Sequence, residues 1–291
     1  MTNALLAMEG LTKDYEAFRA LDGLNLTVAP GEVVGLLGPN GSGKTTALRL
    51  ALGFLRPTAG RASIAGFDCW AESVEARKRV TYLPGELRLY ESMTGRQLVH
   101  FLGKLRGEAP GPEVDLLAKQ LDIDPDQALT KMSSGMKRKI ALLLVLIPKV
   151  PLIILDEPTN TLDPTMRDEL IRQLKQAKAA GKAVLFSSHV LQEVEAVCDR
   201  VVILRKGKLV HVQNMVDLRD GRHVSARWTG TPASRGPDGS ALATNENHLS
   251  FDYRGPLPPL LTWLAAQQLD DLKVEPIGLT PIYKKFHGGV A

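Results

Sequence analysis

A glycine-rich segment early in the chain has the residue types and spacing of a phosphate-binding loop. It consists of Gly38, Pro39, Asn40, Gly41, Ser42, Gly43, Lys44, Thr45 and Thr46. Its glycines let successive backbone N–H groups converge on phosphate oxygens at the positive end of the next helix. Lys44 adds a full charge, and the Thr45 hydroxyl suits Mg²⁺. The segment predicts that a nucleoside triphosphate binds here together with Mg²⁺.

The flanking segments fit such a loop. Residues 33–37 are an apolar run typical of a buried parallel strand, and residues 47–52 have a helical pattern. A glycine-rich turn with a fortuitous lysine is the alternative. The order of strand, loop and helix favours the phosphate-binding interpretation.

Two carboxylates and a histidine follow other apolar runs. Residues 152–155 precede Asp156 and Glu157, and residues 183–188 precede His189. Ligands of open α/β sheets bind at the carboxyl ends of strands, so these side chains are expected beside the phosphate loop. There Asp156 is placed to hold Mg²⁺, and Glu157 to orient or deprotonate the attacking water. His189, as an alternative to a structural or helix-start role, is predicted to bind the γ-phosphate or the water.

Composition gives general limits. The 291 residues are 44% hydrophobic, enough for one large domain and a smaller one. The longest apolar stretch, residues 140–155, is interrupted by prolines, and neither half approaches the roughly 20 residues that cross a bilayer. The N-terminus has no secretion-signal pattern, and two cysteines make no disulfide framework. We therefore expect a soluble, cytoplasmic protein.

The net charge of +4 is mild. Two basic clusters, residues 77–79 and 137–139, contain no interleaved aromatic residues. They are interpreted as solvated helix faces, and no nucleic-acid partner is expected.

Taken together, these motifs resemble the ATP-binding subunit of an ABC transporter, over residues 7–218. Tyr15 stands where that family stacks an aromatic ring on adenine. A signature segment, Ser133, Ser134, Gly135 and Met136, lies between the phosphate loop and Asp156. Asp163 belongs to a segment like the family's D-loop, and His189 matches its switch histidine. The resemblance implies an α/β fold with a P-loop ATPase core built on a mostly parallel sheet, an antiparallel β subdomain and a helical subdomain.

The resemblance also implies partners. The family's signature grips the γ-phosphate held by a second subunit, so a head-to-tail pair with two ATP molecules is expected. Ser133 is also a plain helix N-cap candidate, and both roles are compatible. The partner is a second copy or a homologous ATPase subunit. A separate transmembrane permease is expected as well, which would place the chain at the inner face of the plasma membrane.

Three segments depart from the family pattern. The signature lacks the family's leucine, one glycine and its glutamine. Gly85 stands where the Q-loop glutamine usually follows proline, and Glu86, one residue later, is the candidate replacement. If Glu86 does not replace it, hydrolysis should be slow or loosely coupled. Asn160 and Thr161 stand in place of the usual Ser-Gly of the D-loop.

The remaining sequence suggests two domains. Residues 1–218 form the expected ATPase domain, with a helical subdomain over about 86–148 that begins at a capping box at Thr94. Residues 219–291 are expected to form a small α+β appendage. It has strands near 223–228 and 248–253, a polar loop over 229–240, a helix near 259–267 and a last strand or helix ending at Phe286.

The leading functional hypothesis is an ATPase that powers a separate permease. The appendage and residues 90–95 favour exporters of the drug and ABC-2 kind. One alternative is a soluble ABC-type ATPase acting on ribosomes or DNA, although the second cassette or long coiled-coil insert of most such proteins is missing. Another is a regulatory module that closes on ATP with weak hydrolysis.

Overall fold

The computed structural model describes residues 4–219, 221–231, 233–240, 242, 244–245 and 247–287. The chain forms two compact units, Met1–Val212 and Gln213–Ala291. The division falls at Val212, whereas the sequence suggested residue 218. The helix Met215–Arg219 packs on the strand Gly221–Trp228 and so belongs to the second unit. The assignment of separate functions to the two units remains a prediction.

The first unit combines strands and helices. In chain order they are β1 Leu6–Tyr15, β2 Phe18–Val28, β3 Val33–Leu37, α1 Lys44–Ala51, β4 Ala59–Ile64, β5 Phe67–Asp68, α2 Ser73–Arg77, β6 Val80–Leu83, α3 Gly95–Arg106, α4 Glu113–Gln120, α5 Ser134–Leu146, β7 Leu152–Asp156, α6 Pro164–Ala179, β8 Ala183–Ser188, α7 Leu191–Val197, β9 Arg200–Arg205 and β10 Lys208–Asn214, which contains the division point.

A six-stranded sheet in the order β10-β9-β3-β8-β7-β6 forms the centre of this unit. The pairs β9/β3, β3/β8, β8/β7 and β7/β6 are parallel. Strands β3, β7 and β8 are buried at every position because helices and a second sheet cover them. The mostly parallel sheet predicted from the sequence is confirmed. Its carboxyl-terminal edge brings together residues distant in sequence.

An antiparallel sheet of order β2-β1-β4-β5 is the second layer. Helix α1 lies between the two sheets and buries Ala47, Leu48, Leu50 and Ala51. These side chains join one apolar cluster with residues of β1, β3 and β8. The helix that follows the phosphate loop is therefore fixed on both sides.

The helical region between β6 and β7 contains α3, α4 and α5, with a short 3-10 helix at Leu129–Lys131. The predicted capping box is confirmed: the Thr94 side chain accepts from the Gln97 N–H, and the Gln97 side chain accepts from the Thr94 N–H. The basic cluster at 137–139 differs from the expectation. Arg138 is only 2% exposed, so the interpretation of this whole cluster as a solvated face was wrong.

The second unit has a sheet of order β12-β13-β11-β14. Its elements are α8 Met215–Arg219, β11 Gly221–Trp228, β12 Thr244–Asn245, β13 His248–Arg254, α9 Leu257–Ala265, β14 Leu269–Pro276 and α10 Thr280–His287. The two predicted strands pair antiparallel as β11 and β13. The last segment, for which the sequence predicted a strand or a helix, contains both β14 and α10. In the polar loop over 229–240 the described residues form turns and bends, and Pro232 lies outside them.

In the part of the chain that the structure describes, no helix has both the length and the hydrophobicity of a membrane span.

Burial of α1 leads to a stability prediction. Leu48 is completely buried, so Leu48→Ala removes apolar contacts and leaves a cavity. We expect the free energy of unfolding to fall by about 3 kcal/mol, measured by urea titration. Leu105→Ala is the matched control because that side chain is 71% exposed, and its cost should stay below about 0.5 kcal/mol. Equal losses for the two variants would contradict the prediction.

Candidate active site

The phosphate loop connects the end of β3 to the start of α1. Gly41 and Gly43 have φ of 77° and 105°, values in the left-handed range that favours glycine. A Cβ on Gly43 would lie 2.8 Å from the Ala20 carbonyl oxygen, and one on Gly38 would lie 2.6 Å from that of Leu204. Both positions therefore require glycine because neighbouring backbone approaches so closely.

The start of α1 has no side-chain cap in the described structure. Its N-cap is Gly43, which supplies no side-chain acceptor for the first N–H groups of the helix. The buried Ser42 Oγ also has no hydrogen-bond partner in the described part of the chain. Buried polar groups without partners are costly, and phosphate oxygens are acceptors that would satisfy them. The loop thus fits the predicted triphosphate.

Lys44 is held at the centre of this loop. Its ammonium group is almost completely buried and donates to the carbonyl oxygens of Gly38 at 2.6 Å and Pro39 at 3.3 Å. The same Nζ lies 3.3 Å from Glu157 Oε1. The positive charge of the loop therefore contacts the carboxylate at the end of β7.

The ends of β7 and β8 are joined by Ser187. Its hydroxyl donates to Asp156 Oδ1 at 2.6 Å and accepts from the Glu157 N–H at 2.9 Å. Glu157 has a φ of 48°, which is unusual for a residue with a side chain. Backbone strain of this kind is often retained at functional sites. The parallel pairing of the two strands thus places Asp156 and Glu157 at the sheet edge expected from the sequence.

His189 contacts the second oxygen of the same carboxylate. Its Nδ1 lies 2.6 Å from Glu157 Oε2. Partial burial acts to raise the pKa of the Glu157 carboxyl, but Lys44 and His189 outweigh it, so this pKa lies below its usual value. Glu157 is therefore ionised at neutral pH.

A cleft of about 790 Å³ contains these groups, and its size suits a nucleotide. The lining residues that matter here are Phe18, Asn40, Gly41, Ser42, Gly43, Lys44, Thr45, Thr46, Gly85, Glu86, Asp156, Glu157 and His189. The Q-loop position thus lies in the cleft. A Cβ on Gly85 would lie 3.6 Å from Asp156 Oδ2, so a side chain here would meet the carboxylate proposed for Mg²⁺.

Two aromatic residues, Phe18 and Tyr82, line the cleft, and the stacking of Tyr15 on adenine stays a prediction. Phe18 lines the cleft and is 62% exposed, whereas Tyr15 is not among its lining residues. The two rings stack at a centroid distance of 5.4 Å, at the closed end of the β1/β2 hairpin. Sequence reasoning missed Phe18, although its position opposite Tyr15 across a two-residue turn was a usable signal.

The signature segment and Asp163 do not line this cleft. Ser133 caps α5, because its Oγ accepts from the Met136 N–H at 3.3 Å. Asp163 caps α6 in the same way through Met166. Within one chain these residues stabilise helix starts, and the role in a second subunit's site stays a prediction.

The lowered pKa of Glu157 predicts how stability depends on pH. A carboxyl whose pKa is lower in the folded protein stabilises the fold above its unfolded pKa of about 4.3, and this contribution is lost as pH falls through the folded value. The advantage of the wild type over Glu157→Gln in urea titrations should therefore shrink as the pH is lowered through this range. A difference that is the same at neutral and acid pH would contradict the lowered pKa.

Comparison with known proteins identifies relatives that cover up to about three quarters of the chain. The family model described as ABC transporter matches residues 21–160. The linearmycin resistance ATP-binding protein LnrL of Bacillus subtilis (strain 168) is 32% identical over 219 residues, covering 74% of this chain and 70% of LnrL. The daunorubicin resistance ATP-binding protein DrrA3 of Streptomyces coeruleorubidus is 34% identical, covering 72% of this chain and 68% of DrrA3.

Solved structures show the same fold. An ATP-binding subunit of an ABC transporter superposes with a TM-score of 0.69 at 29% identity, covering 74% of this chain and 92% of that one. A dimeric bacterial ABC transporter cassette has a TM-score of 0.67 at 22% identity, covering 72% and 98%. The predicted fold class is confirmed, and the chain belongs to the ATP-binding proteins of ABC transporters.

Proposed function

We propose that this chain hydrolyses ATP to drive a separate transmembrane permease that exports its substrate. The observation that carries the proposal is the convergence of Lys44, Glu157 and His189 within 3.3 Å contacts beside the phosphate loop. These are the groups needed to hold a γ-phosphate and to activate water against it. Membership of the family supports ATP as the nucleotide.

In this proposal the loop binds the triphosphate. The N–H groups at the start of α1 and the Lys44 ammonium hold the phosphate oxygens, and Phe18 or Tyr15 stacks on the adenine. Thr45 and Asp156 have the oxygen donors that would hold Mg²⁺. When bound, Mg²⁺ neutralises charge on the terminal phosphates. In this state the Lys44 ammonium gives up its contact with Glu157 Oε1 and contacts a phosphate oxygen instead.

Glu157 is the proposed catalytic base. Its ionised carboxylate accepts a proton from the attacking water. The left-handed backbone of Glu157, directly after β7, sets the direction of this side chain. His189 holds Oε2 and is available to contact the γ-phosphate or the water. Glu86 lines the cleft and remains the candidate for the role of the missing Q-loop glutamine.

The partners are proposed from the family. ABC cassettes work as dimers and with transmembrane subunits, so a second copy or a homologous subunit would present its signature segment to the nucleotide. No nucleic-acid partner is proposed. Action on ribosomes or DNA is not favoured, because the chain belongs to the ABC transporter family and the relatives LnrL and DrrA3 are named as resistance ATP-binding proteins. Resistance to a compound fits its export, which would place this chain at the inner face of the plasma membrane.

The helical region offers a surface for the permease. The exposed side chains of Tyr90 and Leu105 line a cavity of about 320 Å³ between the segment after β6 and helix α3. The exposed Phe101 ring contacts Tyr90 edge-on at a centroid distance of 6.3 Å. The family's permeases contact this region. We therefore propose that a cytoplasmic helix of the permease docks there.

The role of Glu157 is tested by Glu157→Gln, which keeps the shape of the side chain but cannot accept the proton. Steady-state ATP turnover should fall by about 10²–10⁴-fold while ADP binding, measured by calorimetry, persists. Glu9→Gln is the control because that exposed carboxylate pairs with Arg61 on β4. Unchanged turnover in Glu157→Gln would remove the residue from catalysis.

The docking surface is tested by co-purification. Leu105→Glu places a charge on the proposed apolar surface. We expect at least tenfold less co-expressed permease to be retained in detergent, which corresponds to a loss of about 1.4 kcal/mol of binding free energy. Leu116→Glu is the matched control: this leucine is 61% exposed on α4 and does not line the cavity. Equal retention by both variants would argue against this surface.

A further inference from the structure

A buried arginine joins the segments that surround the catalytic carboxylate. Arg138 lies on α5, the helix that Ser133 caps, and only 2% of its surface is exposed. Fully buried arginines are rare unless every donor finds a partner. The contacts of its guanidinium group therefore show what the charge is for.

All hydrogen bonds of the guanidinium group in the described structure are with backbone carbonyl oxygens. Its Nε donates to Pro158 at 3.0 Å, and its Nη1 to Pro84 at 2.9 Å and Gly85 at 3.1 Å. Its Nη2 donates to Asp156 at 3.3 Å and to Glu157. One planar group thus joins the Q-loop position to the end of β7.

The contact with Glu157 matters because of the backbone conformation there. Glu157 has a left-handed φ of 48°, which must be held by its surroundings. Ser187 fixes its N–H, and Arg138 fixes its carbonyl group. The peptide groups on both sides of the Glu157 Cα are therefore held, and with them the direction of the carboxylate.

We propose that Arg138 is a positioning residue that holds Glu157 and the Q-loop position in the geometry required for hydrolysis. Arg138 does not line the cleft that contains Lys44 and Glu157. Because Arg138 sits on the helix that begins at the signature segment, a partner nucleotide bound at that segment is linked to Glu157 through one side chain. The inference rests on the proposed role of Glu157 as the base.

Lysine cannot replace this group. The guanidinium donates in one plane through Nε, Nη1 and Nη2, whereas an ammonium group has three donors on one atom. Arg138→Lys keeps the positive charge but loses contacts at one end of the fork. The expected consequence is a displaced carboxylate in a folded protein.

The experiment compares turnover with nucleotide binding. In Arg138→Lys we expect kcat for ATP to fall by about 100-fold, because a misplacement of the carboxylate by about 1 Å has an effect of this size. The Kd for ADP and the thermal midpoint of unfolding should stay near their wild-type values. Arg138→Met, which removes all donors, should lose at least as much kcat. Lys139→Met is the matched control: Lys139 is the next residue of α5 and donates to the Asp122 carbonyl oxygen, away from the cleft.

Each outcome decides the inference. A kcat for Arg138→Lys within twofold of wild type would overturn it, and so would parallel losses of kcat, ADP affinity and thermal midpoint, or failure of that variant to fold. The kcat of Arg138→Met is compared with that of the wild type only if this variant folds. Glu157→Gln, measured in the same series, separates the two claims. If that variant keeps full turnover, the proposed role of Glu157 as the base fails, whereas its inactivity beside an active Arg138→Lys rejects the positioning role alone.

Discussion

The site depends on the placement of one carboxylate between two nitrogen groups. Glu157 Oε1 lies 3.3 Å from Lys44 Nζ, and Oε2 lies 2.6 Å from His189 Nδ1. These contacts keep the carboxylate ionised despite partial burial. They also tie the loop after β3 to the residues that follow β7 and β8. The Lys44 charge is thus balanced by the group proposed to activate water.

Parallel strand pairing makes this placement possible. Strands β3, β8 and β7 are neighbours in register, so their carboxyl ends lie at one edge although they are far apart in the sequence. The interiors of these strands are apolar and buried. Helix α1 and the antiparallel sheet cover the six-stranded sheet on one side, and further helices cover it elsewhere. The polar residues at the strand ends are then the first groups that reach solvent.

Close backbone packing limits the sequence of the phosphate loop. Gly38 and Gly43 face neighbouring carbonyl oxygens at distances that exclude a Cβ, so the loop shape is fixed by packing against β2 and β9 as well as by its own conformation. Arg138 likewise fixes the segment that contains Glu157, through hydrogen bonds to the carbonyl oxygens of Pro84, Glu157 and Pro158. Rigid surroundings on both sides allow an unusual backbone at Glu157.

The sequence by itself determined the local features. The loop from Gly38 to Thr46, the strand before Asp156 and the capping box at Thr94 follow from residue spacing and apolar periodicity, which act over a few neighbours. The mostly parallel sheet was implied by the family resemblance of these motifs. Tertiary structure alone decided that Phe18 rather than Tyr15 lines the cleft, that Arg138 is buried, and that the second unit begins after Val212. These depend on contacts between distant segments, and a basic residue on a helix reads the same in sequence whether solvent or carbonyl oxygens surround it.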